Sequence, residues 1–421
     1  MRKNYLWYQM FRYPIVGAAL RVFYKKVKVS GKEHLPKNKP ILFVPNHQNS
    51  FMDALLVVCS VRPFIYFLTR AEAFNPPLLG WFLGTLNMLP VYRVRDGFSS
   101  VQKNNAIFEL CFSYFKRNDA VLIFPEANHD LKKRIRPLSK GFTRIAFGAE
   151  VKNDWELDLQ IVPVGLNYTE QPAARTIVHV NYGKPIPVKD FEAAFKEDEN
   201  EATKQMKEVV SGKMKELVFH VPNLEEYPVQ KILWHDLESN QHHLTNPDIV
   251  NNRIHKTKPH ITQDLIKETK ELDKMITGHD VTTREIASPS KFSFKDALLL
   301  PFLLFSFLNN IIPYQPIKYL TTKVIKDHAF DASIKFLTGL FLLPIFYLIV
   351  CVILGLFGIE WKYLLGYFGL SFVTAPLFIR AKELFTSDPV RRLKKQKPDI
   401  FNEIQSRLDP FRKLRDSILN E

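Results

Sequence analysis

The chain has 421 residues, more than one small hydrophobic core accommodates, so two or three folded units are expected. Its formal net charge of +15 favours a polyanion or an anionic membrane surface as partner. The 3 cysteines stand far apart and form no metal or redox motif, so no disulfide framework is implied and a reducing cytosolic face fits. The sequence contains no nucleic-acid-binding motif, so nucleic acid is not expected as a partner.

Residues 1–26 predict an amphipathic helix that lies in a membrane interface. Trp7, Met10 and Phe11 recur at helical spacing, and basic residues stand at both flanks. Arg12 interrupts the apolar run and no clear cleavage site follows, so a signal peptide is not indicated. The alternative is a helix that packs on the protein's own core.

Residues 27–220 alternate strand-like and helix-like segments, which is typical of an α/β domain. Short apolar runs predict the strands, and longer periodic stretches predict the helices between them. The predicted strands cover residues 41–45, 64–68, 88–92, 120–124, 159–167 and 176–182. We therefore predict the α/β fold class, with a mixed sheet flanked by helices and a C-terminal membrane-embedded helical region.

The sequence after residue 220 changes character twice. Residues 221–290 are polar, with helical pieces and scattered histidines that lack zinc-ligand spacing. Residues 291–385 predict membrane helices, because the uncharged run at 336–358 is long enough to cross a bilayer. The shorter run at 363–379 would complete a hairpin, and the run at 297–312 would be re-entrant or interfacial.

Basic residues flank the predicted hairpin on both sides, and residues 386–421 form a basic tail. By the positive-inside rule both flanks are cytoplasmic, so we expect the α/β domain on the cytoplasmic face of a membrane. The alternative for residues 336–358 is a buried apolar helix of a protein core.

A histidine and an aspartate follow the first predicted strand of the α/β domain. His47 stands just beyond the strand, and Asp53 opens the next apolar run. An imidazole can take a proton from a hydroxyl near neutral pH, and a carboxylate can fix its tautomer, so the pair predicts general-base catalysis. Residues 50–53 also match a helix capping box, which gives Asp53 a purely structural alternative.

Three further stretches place charged side chains near predicted strand ends. Arg93 follows the strand in LPVYR, and Glu126 follows the strand in VLIFPEANHD. Arg136 and Lys140 belong to the basic run LKKRIRPLSKG, and IVPVGLNY is a later apolar strand. Open α/β sheets build their sites at strand ends, so we expect these groups to meet, with an arginine fork on a phosphate.

Each of these charged groups also has an ordinary alternative. Arg93 can belong to a surface ion pair and Glu126 can cap a loop. The basic run can be a solvated or membrane-facing patch. No Ser or Cys stands in a nucleophile elbow, so covalent catalysis is not indicated.

Taken in order, the four stretches resemble the motifs of the glycerolipid acyltransferases, a family that includes glycerol-3-phosphate and 1-acylglycerol-3-phosphate acyltransferases. NHQNSFMD resembles the His-and-Asp motif, and LPVYR the motif whose Arg is thought to bind glycerol phosphate. FPEANHD resembles the Phe-Pro-Glu-Gly motif, and IVPVGLNY the fourth motif. The resemblance covers about residues 35–220.

The chain departs from the family pattern in two places. One residue more than is common separates His47 from Asp53, which predicts an altered His–Asp geometry unless the loop absorbs it. Ala127 replaces the usual Gly. Both features look closer to a branch that resembles fungal glycerol-3-phosphate/dihydroxyacetone-phosphate acyltransferases, which also carry C-terminal membrane segments.

The resemblance implies a membrane-bound O-acyltransferase of phospholipid synthesis. It implies an acyl transfer from acyl-CoA or acyl carrier protein to the free hydroxyl of 1-acyl-sn-glycerol 3-phosphate, which makes phosphatidate. Glycerol 3-phosphate or dihydroxyacetone phosphate is the alternative acceptor. The implied partners are membrane phospholipid, the acyl thioester and acyl carrier protein, without a metal or other cofactor. The implied roles are His47 as base, Asp53 as its orienting group, and Arg93, Glu126, Arg136 and Lys140 as substrate-binding groups.

Two readings from other classes remain open at this point. A catalytically silent, membrane-anchored lipid-binding protein fits the altered His–Asp spacing and Ala127. A metal-dependent phosphohydrolase could use His47 and Asp53 with His129 and Asp130, although no ligand spacing supports it.

Overall fold

The computed structural model describes residues 5–92, 98–240, 242–279, 281–288, 292–386 and 389–420. Its chain divides into two compact units. The first comprises Met1–Arg21, Lys26–Gln171 and Val178–His220, and the second comprises Val22–Lys25, Pro172–Ile177 and Val221–Glu421.

The first unit is built around a mixed sheet, which has eight strands in the described part of the chain. The strands are β1 (Lys26–Ser30), β2 (Ile41–Pro45), β3 (Ile65–Arg70), β4 (Met88–Val91), β5 (Ala120–Leu122), β6 (Gln160–Tyr168), β7 (Ile177–Tyr182) and β8 (Ile186–Pro187). Their order is β1-β7-β6-β2-β5-β3-β4, with β8 paired to β6. The pairs β2–β5, β2–β6, β3–β4 and β3–β5 are parallel, whereas β6–β7 and β6–β8 are antiparallel. The predicted mixed α/β sheet is therefore confirmed.

Helices cover both faces of this sheet. The helices up to residue 220 are α1 (Tyr5–Met10), α2 (Ala18–Phe23), α3 (Ser50–Ser60), α4 (Pro77–Thr85), α5 (Phe98–Phe115), α6 (Gly141–Val151), α7 (Glu192–Glu197) and α8 (Glu199–Leu217). Leu42 and Val44 of β2 belong to a core cluster with α5, α6 and α8. Phe43 points to the opposite face, as strand alternation requires, and stacks edge-on against Tyr182. All of β2 is thus buried, which fixes the position of the residues that follow it.

The N-terminal helix α1 and the π-helix Phe11–Gly17 use one face for packing within the first unit. Tyr8 and Arg12 are buried, and Arg12 Nε donates to the carbonyl oxygen of Val58 at 2.7 Å. Leu6 on another face is 82% exposed. The helix is therefore anchored to protein, and its location at a membrane interface stays a prediction.

The second unit is helical in the residues that the structure describes. Its helices are α9 (Tyr227–Lys231), α10 (Pro247–Thr257), α11 (Gln263–Thr277), α12 (Thr283–Ala287), α13 (Phe294–Leu298), α14 (Leu300–Tyr319), α15 (Asp331–Leu356), α16 (Trp361–Thr374), α17 (Phe378–Phe385), α18 (Pro389–Gln396) and α19 (Pro398–Asn420). The stretch 221–290 is better ordered than its polar composition indicates. Trp234 is fully buried there, and its Nε1–H donates to Thr257 Oγ1 at 2.8 Å.

Among the residues that the structure describes, two helical segments are long and apolar enough to cross a membrane, one at His328–Leu356 and one that starts at Trp361. The stretch 297–312, predicted to be re-entrant or interfacial, falls largely within the single helix α14. Asn310 of α14 accepts a hydrogen bond from the Tyr347 hydroxyl of α15 at 2.5 Å. This hydrogen bond between two buried side chains joins α14 to the first apolar segment.

Candidate active site

Three neighbouring parallel strands bring the predicted motifs together. Phe43 of β2 stands in register with Leu122 of β5, and β2 is also parallel to β6. The carboxyl ends of these strands therefore lie side by side. His47 follows β2, Glu126 follows β5, and Tyr168 is the last residue of β6.

His47 and Asp53 form the pair that the sequence predicts. His47 Nδ1 lies 2.9 Å from Asp53 Oδ2, and the Asp53 side chain is completely buried. Because an ionised carboxylate only accepts hydrogen bonds, Nδ1 carries the proton and Nε2 keeps its lone pair. The Tyr168 hydroxyl donates to Asp53 Oδ1 at 2.5 Å. The geometry is that of a base with an orienting carboxylate.

The extra residue between His47 and Asp53 is absorbed by the loop. The backbone N–H groups of Gln48 and Asn49 both turn towards Asp53 Oδ2, at 2.8 and 2.7 Å. Ser50 adopts a φ of +42°, in the left-handed region, where the chain enters α3. The predicted change of His–Asp geometry therefore does not occur, and Asp53 both orients the imidazole and holds its loop.

The surroundings of His47 favour the neutral imidazole. Burial lowers the pKa of His47, and Asp53 opposes this shift without reversing it. The His47 ring stacks on Phe124, with centroids 3.8 Å apart and planes inclined by 14°. The ring of His129 lies edge-on at 5.6 Å. The imidazole of His47 is thus favoured in its neutral form and fixed in orientation.

Glu126 and Arg136 form a second pair beside His47. Arg136 Nε donates to Glu126 Oε2 at 2.7 Å, and the backbone N–H of His47 donates to Oε1 at 3.2 Å. Burial raises the pKa of Glu126, although Arg136 opposes the shift. Arg136 Nη2 is buried and has no hydrogen-bond partner among the described residues. One guanidinium donor is therefore available for an anionic oxygen.

The other two predicted site residues are placed differently. Arg93 lies outside the described residues. The strand before it, β4, ends at Val91. The side chain of Asn104 bonds to the backbone N–H and carbonyl oxygen of Tyr92, at 2.9 and 2.8 Å. Lys140 is the residue before α6 and lines a groove with α8. Within the described chain it forms no ion pair with Asp53 or Glu126.

The sequence did not predict the side chains near the end of β6 that stabilise the loop between His47 and Asp53. Tyr168 is the last letter of the fourth motif, but its bond to Asp53 spans 115 residues and depends on β2 and β6 being neighbours. Lys133 Nζ donates to the carbonyl oxygen of Tyr168 at 2.6 Å in a buried position. Gln171 Nε2 donates to Gln48 Oε1 at 3.2 Å. A polar residue at the end of a buried apolar strand is the signal that could have identified Tyr168.

Comparisons with known proteins match the part of the chain that carries most of the described residues of this site. The family model described as Acyltransferase matches residues 26–167. The chain is 30% identical over 150 residues to a 1-acyl-sn-glycerol-3-phosphate acyltransferase of Chlamydomonas reinhardtii, which covers 35% of this chain and 40% of that protein. It is 26% identical over 110 residues to the glycerol-3-phosphate O-acyltransferase 1 of Saccharomyces cerevisiae, which covers 25% of this chain and 14% of that protein.

These matches span well under two thirds of either relative. The crystal structure of the 1-acyl-sn-glycerophosphate (LPA) acyltransferase from Thermotoga maritima aligns with a TM-score of 0.36 and 22% identity, covering 52% of this chain and 84% of that one. The family resemblance inferred from the four motifs is confirmed by the family model and the two relatives. Residues 26–167 of this chain are an acyltransferase-family domain.

Proposed function

We propose that the protein is an O-acyltransferase that moves a fatty acyl group from a thioester to the free hydroxyl of 1-acyl-sn-glycerol 3-phosphate, making phosphatidate. The observation that carries this proposal is the His47–Asp53 pair, with Nδ1 and Oδ2 2.9 Å apart, inside an acyltransferase-family domain. The Tyr168 hydroxyl fixes the second carboxylate oxygen of Asp53. Such a base can act only on a hydroxyl presented to Nε2.

The reaction follows from this arrangement. Nε2 of His47 takes the acceptor's hydroxyl proton as the oxygen attacks the thioester carbonyl carbon, and Asp53 stabilises the imidazolium. The tetrahedral intermediate collapses, the C–S bond breaks, and the thiolate takes the proton from Nε2. The products are the ester and the free thiol, and His47 returns to its neutral form. No metal or prosthetic group takes part in these steps.

The acceptor phosphate is expected to bind to arginine. Arg136 Nη2 is a buried guanidinium donor that has no partner in the described chain, which supports a contact with an anionic oxygen. Glu126 holds Arg136 through Nε and the loop through the His47 amide, so we infer that it positions Arg136. Arg93 is proposed as a second phosphate ligand on the strength of its motif alone.

The identity of the acceptor rests on the names of two relatives. The algal relative is named for 1-acyl-sn-glycerol 3-phosphate, which supports that lipid as the first candidate. The yeast relative is named for glycerol 3-phosphate, which makes the water-soluble acceptor the second candidate. A lipid acceptor also explains why the domain shares a chain with two apolar segments long enough to cross a bilayer.

We propose that α15 and the segment starting at Trp361 insert in a membrane and that the acyltransferase domain works on its cytoplasmic face. The first segment leaves many large apolar side chains exposed, among them Leu348, Ile349, Val352 and Ile353. Exposed apolar surface of this kind is typical of contact with lipid. The donor is proposed to be acyl-CoA or acyl carrier protein.

The test is an acyl-transfer assay on the purified full chain in lipid vesicles. Labelled acyl-CoA and labelled acyl carrier protein are each offered with 1-acyl-sn-glycerol 3-phosphate, glycerol 3-phosphate and dihydroxyacetone phosphate. We expect labelled phosphatidate from the first acceptor, at an undiminished rate in the presence of EDTA. If glycerol 3-phosphate alone is acylated, it is the acceptor in place of 1-acyl-sn-glycerol 3-phosphate. If no acceptor is acylated, the proposed enzymatic activity is refuted.

A further inference from the structure

A long loop, residues 123–140, carries Arg136 to the candidate active site. It joins β5, which ends at Leu122, to α6, which begins at Gly141, and it contains no helix or strand among the residues that the structure describes. Long loops inside compact domains are usually functional, and they keep one conformation only through contacts with the rest of the domain. The orientation of Arg136 therefore depends on the contacts that hold this loop.

A histidine beyond helix α8 holds Ile135, the residue before Arg136. The backbone N–H of Ile135 donates to His220 Nδ1 at 3.0 Å, and the Ile135 side chain is buried in the core. A backbone N–H in such surroundings needs an acceptor, and Nδ1 can accept only while it carries no proton. Burial, with Lys215 and Arg134 nearby, lowers the pKa of His220 to about 4, which keeps the ring neutral.

The segment that carries His220 is itself fixed to the sheet. The backbone N–H of Phe219 donates to Asn167 Oδ1 of β6 at 2.8 Å. Asn167 Nδ2 donates in turn to the carbonyl oxygen of Leu217, the last residue of α8, at 2.9 Å. One buried amide side chain therefore bonds to the chain on both sides of residue 218. His220 follows directly and gives the loop a fixed support.

A second contact with the same segment lies two residues earlier in the loop. Lys133 Nζ is 5.4 Å from the centre of the Phe219 ring and donates to the carbonyl oxygen of Tyr168 at 2.6 Å. A cation over an aromatic face is attracted to it. Phe219 and His220 thus hold the loop at Lys133 and at Ile135, immediately before Arg136.

Arg136 is directed to Glu126 from this supported backbone. Its backbone N–H and its Nε both donate to Glu126 Oε2, at 3.3 and 2.7 Å. Its Nη2 is buried and has no partner in the described chain. A contact that uses both backbone and side chain depends on where the backbone lies, and the bond to His220 is one peptide away. A shift of the Ile135 peptide would therefore move the guanidinium group.

We propose that His220 is a positioning residue for acceptor binding, which holds the loop so that Arg136 Nη2 meets an oxygen of the acceptor phosphate. The proposal rests on the acyl-transfer function proposed above. His220 lies outside the four motifs and outside residues 26–167, which the family model matches. It acts through Arg136, and the property that it needs is a hydrogen-bond acceptor at the position of Nδ1.

The experiment compares His220→Leu, which removes the acceptor, with His220→Asn, which places an oxygen near the position of Nδ1. His34→Leu, which removes an exposed imidazole, is the control. Kinetics of the full chain in vesicles are measured with 1-acyl-sn-glycerol 3-phosphate and with 1-acylglycerol, which lacks the phosphate. Binding of glycerol 3-phosphate, the phosphate-bearing end of either lipid or soluble acceptor, is measured by calorimetry. Denaturant titration checks that each variant is folded, and His220→Gln, whose oxygen lies one bond further out, replaces His220→Leu if that variant is unfolded.

We expect His220→Leu to raise the KM for 1-acyl-sn-glycerol 3-phosphate about tenfold and to weaken glycerol 3-phosphate binding by a similar factor. Its kcat should stay within about twofold of the unaltered protein, and its kcat/KM for 1-acylglycerol should be unchanged. His220→Asn should restore the KM to within about threefold, and His34→Leu should behave as the unaltered protein.

An unchanged KM in His220→Leu would overturn the proposal. Equal losses with both acceptors, or equal losses in His220→Leu and His220→Asn, would overturn it too, because a purely structural residue would give those results. If glycerol 3-phosphate binding depends on His220 in a protein that transfers no acyl group, the positioning of Arg136 is upheld and the proposed function is refuted instead.

Discussion

Asp53 connects His47, the loop that follows it and strand β6 in the candidate site. Its two oxygens receive hydrogen bonds from the imidazole of His47, from two backbone amides and from the Tyr168 hydroxyl. Such bonds to an ionised group are the strong ones in proteins. A single buried carboxylate therefore sets the tautomer of the base, the path of its loop and the link to β6.

The pH dependence of the rate tests His47 as the base. The base must be neutral, so kcat/KM should fall as the pH drops through the pKa of His47, and burial places that pKa below its usual value of about 6.5. Asp53→Asn removes a charge that raises this pKa, so its acidic limb should lie at still lower pH. We also expect kcat/KM to fall by about 10²–10⁴. A limb that moves to higher pH in this variant would contradict the assignment.

Tyr168→Phe tests the contact with Asp53 that the sequence did not reveal. The change removes a hydrogen bond to a charged group, so we expect unfolding to become easier by about 1.5–3 kcal/mol in denaturant titrations. Because Asp53 loses one of its fixing contacts, kcat/KM should fall about tenfold, with little change in the acceptor's KM. Tyr182→Phe is the matched control, since it removes a buried bond to Ser60 outside the site. Equal rates in both variants would show that Tyr168 is purely structural.

The site residues differ in how far the sequence could place them. His47 and Asp53 are close in the chain, so their spacing after a strand sufficed to predict the pair. Glu126 and Arg136 are ten positions apart, and their bond depends on the conformation of the loop between them. Hydrophobic periodicity does not predict the conformation of such a loop. The conformation of Ala127 could not be predicted from the sequence either. Its φ of +60° lies in the left-handed region, which glycine adopts readily, and this explains why the family pattern has Gly at that position.

At the scale of elements, β6 and the end of α8 are fitted closely together. The side chains of Asn167 and Asn181 both donate to the carbonyl oxygen of Leu217, at 2.9 and 3.2 Å. Gly165 lies beneath the same carbonyl, where a Cβ atom would overlap it. This contact fixes β6, and through Tyr168 it supports the site.

Gly165→Ala should therefore destabilise the domain. The added methyl group meets backbone that cannot move freely, so we expect a loss of about 1–3 kcal/mol in the free energy of unfolding. Gly212→Ala is the control, because it enters open space on α8 and should stabilise the helix by about 0.5–1 kcal/mol. Denaturant titration of both variants checks the pair. No loss for Gly165→Ala would mean that β6 and α8 are not packed as described.

The strands were the most predictable elements. All six predicted strands are present, with ends that differ by one or two residues, because buried parallel strands are short apolar runs with clear ends. Strands β1 and β8 were missed, since KVKVS alternates with charged residues and the second strand contains only two residues. The helices of residues 221–288 were underestimated, because their buried faces are spread among charged positions.

At the scale of the whole molecule, the account requires a chain that is inserted in a membrane. We expect the full chain, reconstituted or in native membranes, to stay in the pellet after alkaline carbonate extraction. The double substitution Ile349→Arg with Val352→Arg places two charges on the exposed face of α15. It should release the chain into the supernatant, since each arginine costs about 2.5–3.5 kcal/mol at the bilayer centre. Val209→Arg, at an exposed site of the first unit, is the control. Release of the unaltered chain by carbonate would contradict insertion.

Acyl transfer by His47→Ala, measured beside His129→Ala, tests directly whether His47 is the base. Both changes remove an imidazole from the same cluster, where the two rings lie 5.6 Å apart, and His47 is the residue whose Nδ1 bonds to Asp53. We expect His47→Ala to lower kcat/KM by about 10³-fold or more, in line with the loss of a general base, while His129→Ala keeps at least about a third of the activity. Comparable activity in His47→Ala and the unaltered protein would show that this histidine is not the base.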